Sequence, residues 1–334
     1  MRPPIFIVGC SRSGTTLLRN LLRAHPDLTF PPESQFIPTY YRAYGDPASR
    51  ADAIHLGKII LRTRSVRTWQ LDLEPAAFGN CRSFQEVLCL LFGAWAKQEK
   101  KARWGDKTPQ YVIDIPLLLD LFPTAQILHI IRDGRDVAMS AIRVGFEGNV
   151  ATAAIRWRAS VRAGQAAGAV YPAGTYFEVR YERLLESPQI VMKQICNFLN
   201  EPYDPVVLNP SPPRPHALSG APWIAQDLPD GERMIVRSNA GKWRPAMRRA
   251  ERVLFESLAG DLMKDLGYET EGKIRHVSAL ELGVWRLHHG FRYAIARVGV
   301  FGRPDLIRTF LRFRWARLWG RFRALRRTAT RVGV

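Results

Sequence analysis

Residues 4–16, Pro-Ile-Phe-Ile-Val-Gly-Cys-Ser-Arg-Ser-Gly-Thr-Thr, constrain the fold of this 334-residue chain more than any other stretch. Ile5 to Val8 form a short apolar run, as expected of a buried strand in a parallel sheet. Gly9 to Gly14 make a small polar turn, and Thr15 to Ala24 read as an amphipathic helix. A strand, a Gly-bounded turn and a helix direct several backbone N–H groups and a positive helix end at one point, where a phosphate sits. The spacing Gly9-x4-Gly14 is that of a P-loop, but Thr15 stands where a nucleotide triphosphatase needs Lys. The positive charge lies inside the loop instead, at Arg12.

The remaining pattern alternates β and α. Strands are predicted at Leu28–Phe30, Ala102–Trp104, Gln126–Ile131 and Thr175–Val179. Helices are predicted over Phe84–Lys100, from Thr108-Pro109 to Leu121, and over Asp133–Arg143, Thr152–Ala169, Tyr181–Leu185, Pro188–Leu199 and Pro245–Leu266. Ser34 to Gly79 is polar and helical with little strand character, and the eight prolines of Glu201–Gly241 mark a long irregular connection. The expected fold is α/β: a P-loop-like parallel sheet with helices on both faces, over residues 1–270, followed by a basic helical extension over 271–334. No apolar run approaches the roughly 20 residues that span a bilayer, which excludes an integral membrane protein. Met1-Arg2 leads almost directly into the first strand, so no signal peptide is expected. Cys10, Cys81, Cys89 and Cys196 have no metal-like spacing and read as reduced thiols of a cytoplasmic protein.

Charge is unevenly placed. Of the net +19, residues 275–334 hold fourteen Arg against only Glu281 and Asp305, a net +12 that leaves +7 for the rest. Leu311, Trp315, Leu318, Phe322 and Leu325 fall on one helix face, surrounded by Arg308, Arg312, Arg314, Arg317, Arg321 and Arg323. Val277–Val300 repeats the pattern more weakly, with Trp285, Phe291 and Tyr293. Residues 277–327 therefore read as a peripheral contact with an anionic membrane, at the inner face for a cytoplasmic protein. The competing reading packs these faces on the main domain or a second subunit. Nucleic acid is not expected as a partner, because it would leave the Trp-Leu stripe unexplained.

A second constellation is Ile130-Ile131-Arg132-Asp133-Gly134-Arg135-Asp136-Val137-Ala138-Met139-Ser140. Arg132 ends a strand, where ligands of open α/β sheets bind, and Ser140 lies two turns into the next helix. The pair reads as an anion clamp. The alternative is that Asp133 and Arg135 only cap and solvate the helix start. Two anion sites on separate strands imply a nucleotide phosphorylated at two places.

With these motifs the chain resembles the PAPS-dependent sulfotransferases, in the Arg-Ser-Gly-Thr-Thr form of protein-tyrosine, carbohydrate and many bacterial members. The resemblance implies that Arg12, Ser13, Gly14, Thr15 and Thr16 hold the 5′-phosphosulfate of PAPS, and that Arg132 and Ser140 hold its 3′-phosphate. Arg23-Ala24-His25-Pro26-Asp27 followed by Glu33 resembles the stretch that ends in a catalytic glutamate. Gly105-Asp106-Lys107-Thr108-Pro109 resembles a Lys-containing turn before a helix, Arg180-Tyr181-Glu182-Arg183-Leu184 the segment after a central strand, and Gly241-Lys242-Trp243-Arg244 a late element returning to the nucleotide.

The implied reaction is in-line transfer of the sulfuryl group to an acceptor hydroxyl of a glycan, lipid, peptide tyrosine or small metabolite. Glu33 is the base, its pKa raised by partial burial behind Pro31-Pro32, and Arg12 and Lys107 stabilise the transition state. Tyr181 and Lys242 complete the nucleotide site, and no metal is needed.

Each residue has a plainer alternative. Glu33 starts a helix, Lys107 and Lys242 are solvated, Tyr181 packs at a strand end and Trp243 fills core. His25 satisfies a helix end, and His129 is a core histidine. The cytosolic arylsulfotransferase branch has Lys in place of Arg12 and a His base, which this chain lacks. Residues 34–83, 149–169 and 201–240 remain for an acceptor site and its lid. The competing function is a P-loop kinase or NTPase, disfavoured by Thr15 and by the lack of an evident Mg²⁺-binding carboxylate.

Overall fold

In a computed structural model the chain is described over residues 2–210 and 235–300, with side chains to residue 293. Five parallel strands, β1 Ile5–Gly9, β2 Leu28–Thr29, β3 Arg103–Lys107, β4 Gln126–Ile131 and β5 Tyr176–Arg180, form one sheet in the order β2-β3-β1-β4-β5. β1 is central, with Ile5 opposite Gly105 on one side and Gln126 on the other, and Gly9 opposite Ile130. The chain order switches direction at β1, so the loop after it opens into the crevice where such sheets bind ligands.

β1 and β4 are buried along their whole length because both faces are covered. Phe6, Val8 and Ile127 face a core completed by α2 Ile37–Tyr44, α3 Arg50–Arg62, α4 Arg64–Arg67, α5 Phe84–Gln98 and α6 Ile115–Leu121. Ile5, Ile7, Leu128 and Ile130 face a second core under α1 Thr15–Arg23, α9 Tyr181–Glu186 and α10 Pro188–Phe198. A third core, around Trp157, Phe255 and Trp243, joins α7 Gly134–Arg143, α8 Val150–Val170, α11 Trp243–Ala246 and α12 Arg249–Asp265. A last helix, α13 Ala279–Val300, rests against the start of α8.

Three local expectations change. β3 continues past Trp104 to Lys107, because pairing with β1 persists through Ile7 opposite Lys107; the lysine ends a strand and does not sit in a turn. The helix expected from Pro109 to Leu121 is a 3₁₀ turn, Pro109–Asp114, followed by α6. Pro116 lacks the N–H that would continue an α-helical ladder, and Thr108 makes no side-chain cap. The helix expected over 245–266 breaks at Met247, whose backbone is extended (φ −93°, ψ 122°) and whose side chain is buried. Residues 211–234 of the proline-rich connection and the 304–327 amphipathic pattern lie outside the described residues. The cysteines are free thiols. No described helix is long and apolar enough to cross a membrane.

Candidate active site

The loop after β1 is held in a conformation few residues tolerate. Ser13 N donates to Cys10 O at 3.1 Å, and Arg12 adopts a left-handed backbone with φ 80°. Gly14 has φ 97°, and a Cβ there would lie 2.3 Å from the Tyr181 ring. A Cβ at Gly9 would meet Ile130 O on the neighbouring strand at 2.6 Å. Both glycines are therefore required by close approach, and the loop stores strain of the kind found at ligand sites. α1 begins at Thr15 with no side-chain cap and no acid in its first turn, leaving its N–H groups directed at the loop. The Ser13 hydroxyl is buried without a partner among the described residues.

Arg12, from this loop, donates Nε to Ser140 Oγ at 3.0 Å. Arg132 donates to Arg12 O at 3.3 Å and Asn239 O at 2.5 Å, and lies over the Tyr181 ring at 4.5 Å. Its Nε is buried without a partner among the described residues. Burial first, and then Arg143 and Arg132, push the Arg12 guanidinium down to about 10. Three guanidinium groups are thus crowded at one point, each disfavouring the charge of the others. Arg143 was not singled out in the sequence, although it lies one turn beyond Ser140 on α7, where the same face recurs.

The clamp and the capping alternative coexist. Asp133 caps α7 by accepting from Arg135 N at 2.9 Å, and Arg135 bridges Asp133 at 2.8 Å and Glu256 at 3.1 Å. Asp136 accepts from Gly241 N and Trp243 N, each at 2.8 Å, tying the late segment to α7. Trp243 is buried under Arg135, whose guanidinium lies 3.6 Å from the ring. Lys242 itself is exposed, and the contacts of this segment run through its backbone neighbours.

Glu33 follows β2 and Lys107 ends β3, adjacent strands whose ends bring the two together. Lys107 Nζ pairs directly with Glu33 Oε1 and lies 3.4 Å from Thr16 Oγ1 in the first turn of α1. Lys107 is buried and its ammonium is pushed down, chiefly by burial against the raising effect of Glu33. Glu33 is half-buried, and its carboxylate lies below the usual range, which corrects the expectation of a raised value. Burial does push it up, but Lys107, Gln35 and Arg19 together outweigh that effect. Arg19, buried on α1 one turn after Thr15, adds a cation that sequence reasoning missed.

Behind this pair, Asp106 accepts from Ser34 Oγ at 2.8 Å and Ser34 N at 3.4 Å, and Ser34 Oγ meets Tyr111 OH at 2.8 Å. Burial pushes Asp106 up to about 6. The network fixes the backbone beside Glu33. Asp106 was already inside the Gly105-Asp106-Lys107 motif, but its neighbour Ser34 carried no signal.

His129 follows its plainer reading as a core histidine, whereas among the described residues the His25 side chain ties the turn after α1 to Pro202 and caps no helix end. His25 Nε2 meets Pro202 O at 2.8 Å and its Nδ1 accepts from Asp27 N, while His129 is buried against Tyr176. Among the described residues one group, His25, Asp27 and Glu201, has its donor atoms within 4.8 Å. Its histidine nitrogens are both engaged, and Glu201 pairs with Arg2 and Arg103 at 3.0 Å each.

The geometry thus gathers Arg12 of the Gly-rich loop with Arg132 and Arg143 in one crevice, beside a carboxylate–ammonium pair. A model of the sulfotransferase family matches residues 3–205. A putative protein-tyrosine sulfotransferase of Caenorhabditis briggsae is 26% identical over 217 residues, 61% of this chain and 68% of that protein. The chain spans about half the length of other protein-tyrosine sulfotransferases it matches. Among solved structures, the sulfotransferase domain of the Synechococcus PCC 7002 olefin synthase aligns with TM-score 0.58 and 26% identity, over 80% of this chain and 97% of that one. The sulfotransferase domain from the curacin biosynthetic pathway aligns with TM-score 0.58 and 22% identity, over 81% and 99%.

Proposed function

The chain belongs to the sulfotransferase family, and from that premise we propose that it transfers the sulfuryl group of PAPS to an acceptor hydroxyl. The observation that carries the reading is the joining of Arg12 to Ser140, which unites both anion motifs in one crevice beside Glu33 and Lys107. The Ser13 hydroxyl and Arg132 Nε, buried and unpartnered among the described residues, fit a bisphosphorylated nucleotide. Arg12, Ser13, Gly14, Thr15 and Thr16 would hold its 5′ end, and Arg132 and Ser140, with Arg143 nearby, its 3′-phosphate. Tyr181 and the 239–243 segment would wall it in, with Lys242 at the rim.

Bound there, PAPS supplies a sulfuryl group on a phosphoanhydride oxygen. Glu33, ionised at neutral pH, accepts the acceptor's hydroxyl proton as the new O–S bond forms and the bond from sulfur to the phosphate oxygen breaks. Lys107 and Arg12 neutralise charge on the sulfuryl and leaving-group oxygens. The leaving electron pair stays on the 5′-phosphate of PAP, so no metal is required for balance. The acceptor is a hydroxyl of a glycan, lipid, peptide tyrosine or small metabolite. The basic carboxy-terminal segment supports a second part of the proposal, contact with an anionic membrane.

Thermal shift separates this from a P-loop kinase. PAP is expected to raise the melting temperature at concentrations where ATP with Mg²⁺ does not, and the reverse order would overturn the proposal.

A further inference from the structure

α13 has two dissimilar faces. One is anchored to the body of the protein: His289 Nδ1 accepts from Gly148 N at 2.9 Å, and Asn149 Nδ2 donates to Trp285 O at 2.8 Å. His289 also lies 3.3 Å from the buried Glu147. A Cβ at Gly148 would come within 2.7 Å of His289 Cα, so the helix backbone sits directly on this loop. The other face carries Leu280, Val284, Leu287 and Phe291, which are 82, 57, 77 and 65% exposed. Steps of four, three and four residues put them on a single stripe. Arg286 and Arg292 are exposed beside it, and Glu281 is the one acid on the helix, already paired with Arg275 at 2.5 Å.

We infer that this stripe is the face by which the protein docks on an anionic membrane surface, with Leu280, Leu287 and Phe291 entering the acyl boundary. Charge selects this occupant. A second copy seated on the stripe would bring together two segments of net +12 each, residues 275–334 of either chain, at a cost that salt only partly screens. An anionic lipid surface complements the same charge while burying the same apolar side chains.

The position adds a consequence. α13 rests on residues 147–149, the end of the connection between α8 and the helix α7 that carries Ser140 and Arg143. α13 is therefore joined through one short loop to the helix that carries Ser140. The inference deepens the membrane part of the proposed function and rests on it.

Flotation of the full chain with vesicles tests it. Binding to mixed phosphatidylglycerol–phosphatidylcholine vesicles is expected, with about tenfold less on phosphatidylcholine alone. Leu280→Ser/Leu287→Ser/Phe291→Ser is expected to bind the anionic vesicles about tenfold more weakly while keeping its thermal stabilisation by PAP, which reports an intact fold. Equal flotation of variant and parent overturns the assignment to α13 but leaves membrane contact standing. No flotation of the parent overturns both. A dimer seen by light scattering and dissolved by the triple substitution gives the stripe to a second copy and also overturns the inference.

Discussion

Arg12 Nε and Ser140 Oγ meet at 3.0 Å across 128 residues of sequence. The contact exists because β1 and β4 are neighbours, with Gly9 opposite Ile130, so the loop after one strand and the helix after the other open into the same crevice. The hydroxyl that would receive a 3′-phosphate is also the one that aims the cation of the 5′ loop. On the proposed reading, recognition of the two ends of the nucleotide would share this one contact.

Ser140→Ala should weaken PAP binding about fivefold, as loss of one hydrogen bond worth ~1 kcal/mol does. AMP, which lacks the 3′-phosphate, should lose less, only what the Arg12–Ser140 contact contributes to the 5′ end. Titration calorimetry with both nucleotides checks this. Equal losses for PAP and AMP would mean that Ser140 acts only by holding Arg12.

Gly14→Ala places a Cβ into the Tyr181 ring at a residue with φ 97°. Neither the ring nor the backbone yields easily, since Tyr181 is itself buried under Arg132. A loss of about 2–4 kcal/mol of unfolding free energy is expected from strain and displacement. Denaturant titration reading less than about 0.5 kcal/mol would show that the loop relaxes freely.

The order of elements and the two motifs that meet in the crevice were legible because each is local: an apolar strand, a short turn, a helix. β4 matches its expected bounds, Gln126–Ile131, residue for residue. What was not legible depends on pairing across the sheet. β3 extends to Lys107 only because β1 lies beside it, and that extension is what delivers the lysine to Glu33. The sign of the Glu33 shift was misread for the same reason. Burial behind Pro31-Pro32 is visible in sequence, whereas the opposing cations arrive from α1 and β3. Ser34 and Tyr111 were missed because nothing in their spacing marks a shared hydrogen bond to Asp106.

Asp106 should impose a pH dependence on stability. Its folded pKa is raised to about 6 by burial, above the ordinary carboxylate value, so the native state favours the protonated form. That contribution is complete below the unfolded pKa of about 4 and is lost as pH rises through the folded value. A shift of this size corresponds to roughly 3 kcal/mol between the two limits. Asp106→Asn keeps an acceptor for Ser34 without the charge. Its unfolding free energy, relative to the parent, should therefore rise between pH 4 and pH 7, and a constant difference across that window would remove Asp106 as the titrating group.

Glu33 and Lys107 make the sharpest test of the chemistry. Glu33→Gln should bind PAP within about twofold of the parent yet lose about 10²–10⁴-fold in turnover, the range for removal of a positioned base. Full turnover in that variant would exclude Glu33 from the role. The pH profile then separates base from bystander. A base works when deprotonated, so activity falls as pH drops through its pKa. With Lys107 and Arg19 holding Glu33 low, the acid limb of the parent's kcat/KM should lie below the ordinary glutamate value of about 4.3. Lys107→Met removes the largest of those opposing influences and leaves only Gln35 and Arg19 against burial, so the limb should move up in pH even as the maximum rate drops. A limb that stays in place while the rate falls would assign Lys107 to the sulfuryl group alone and separate it from the proton transfer.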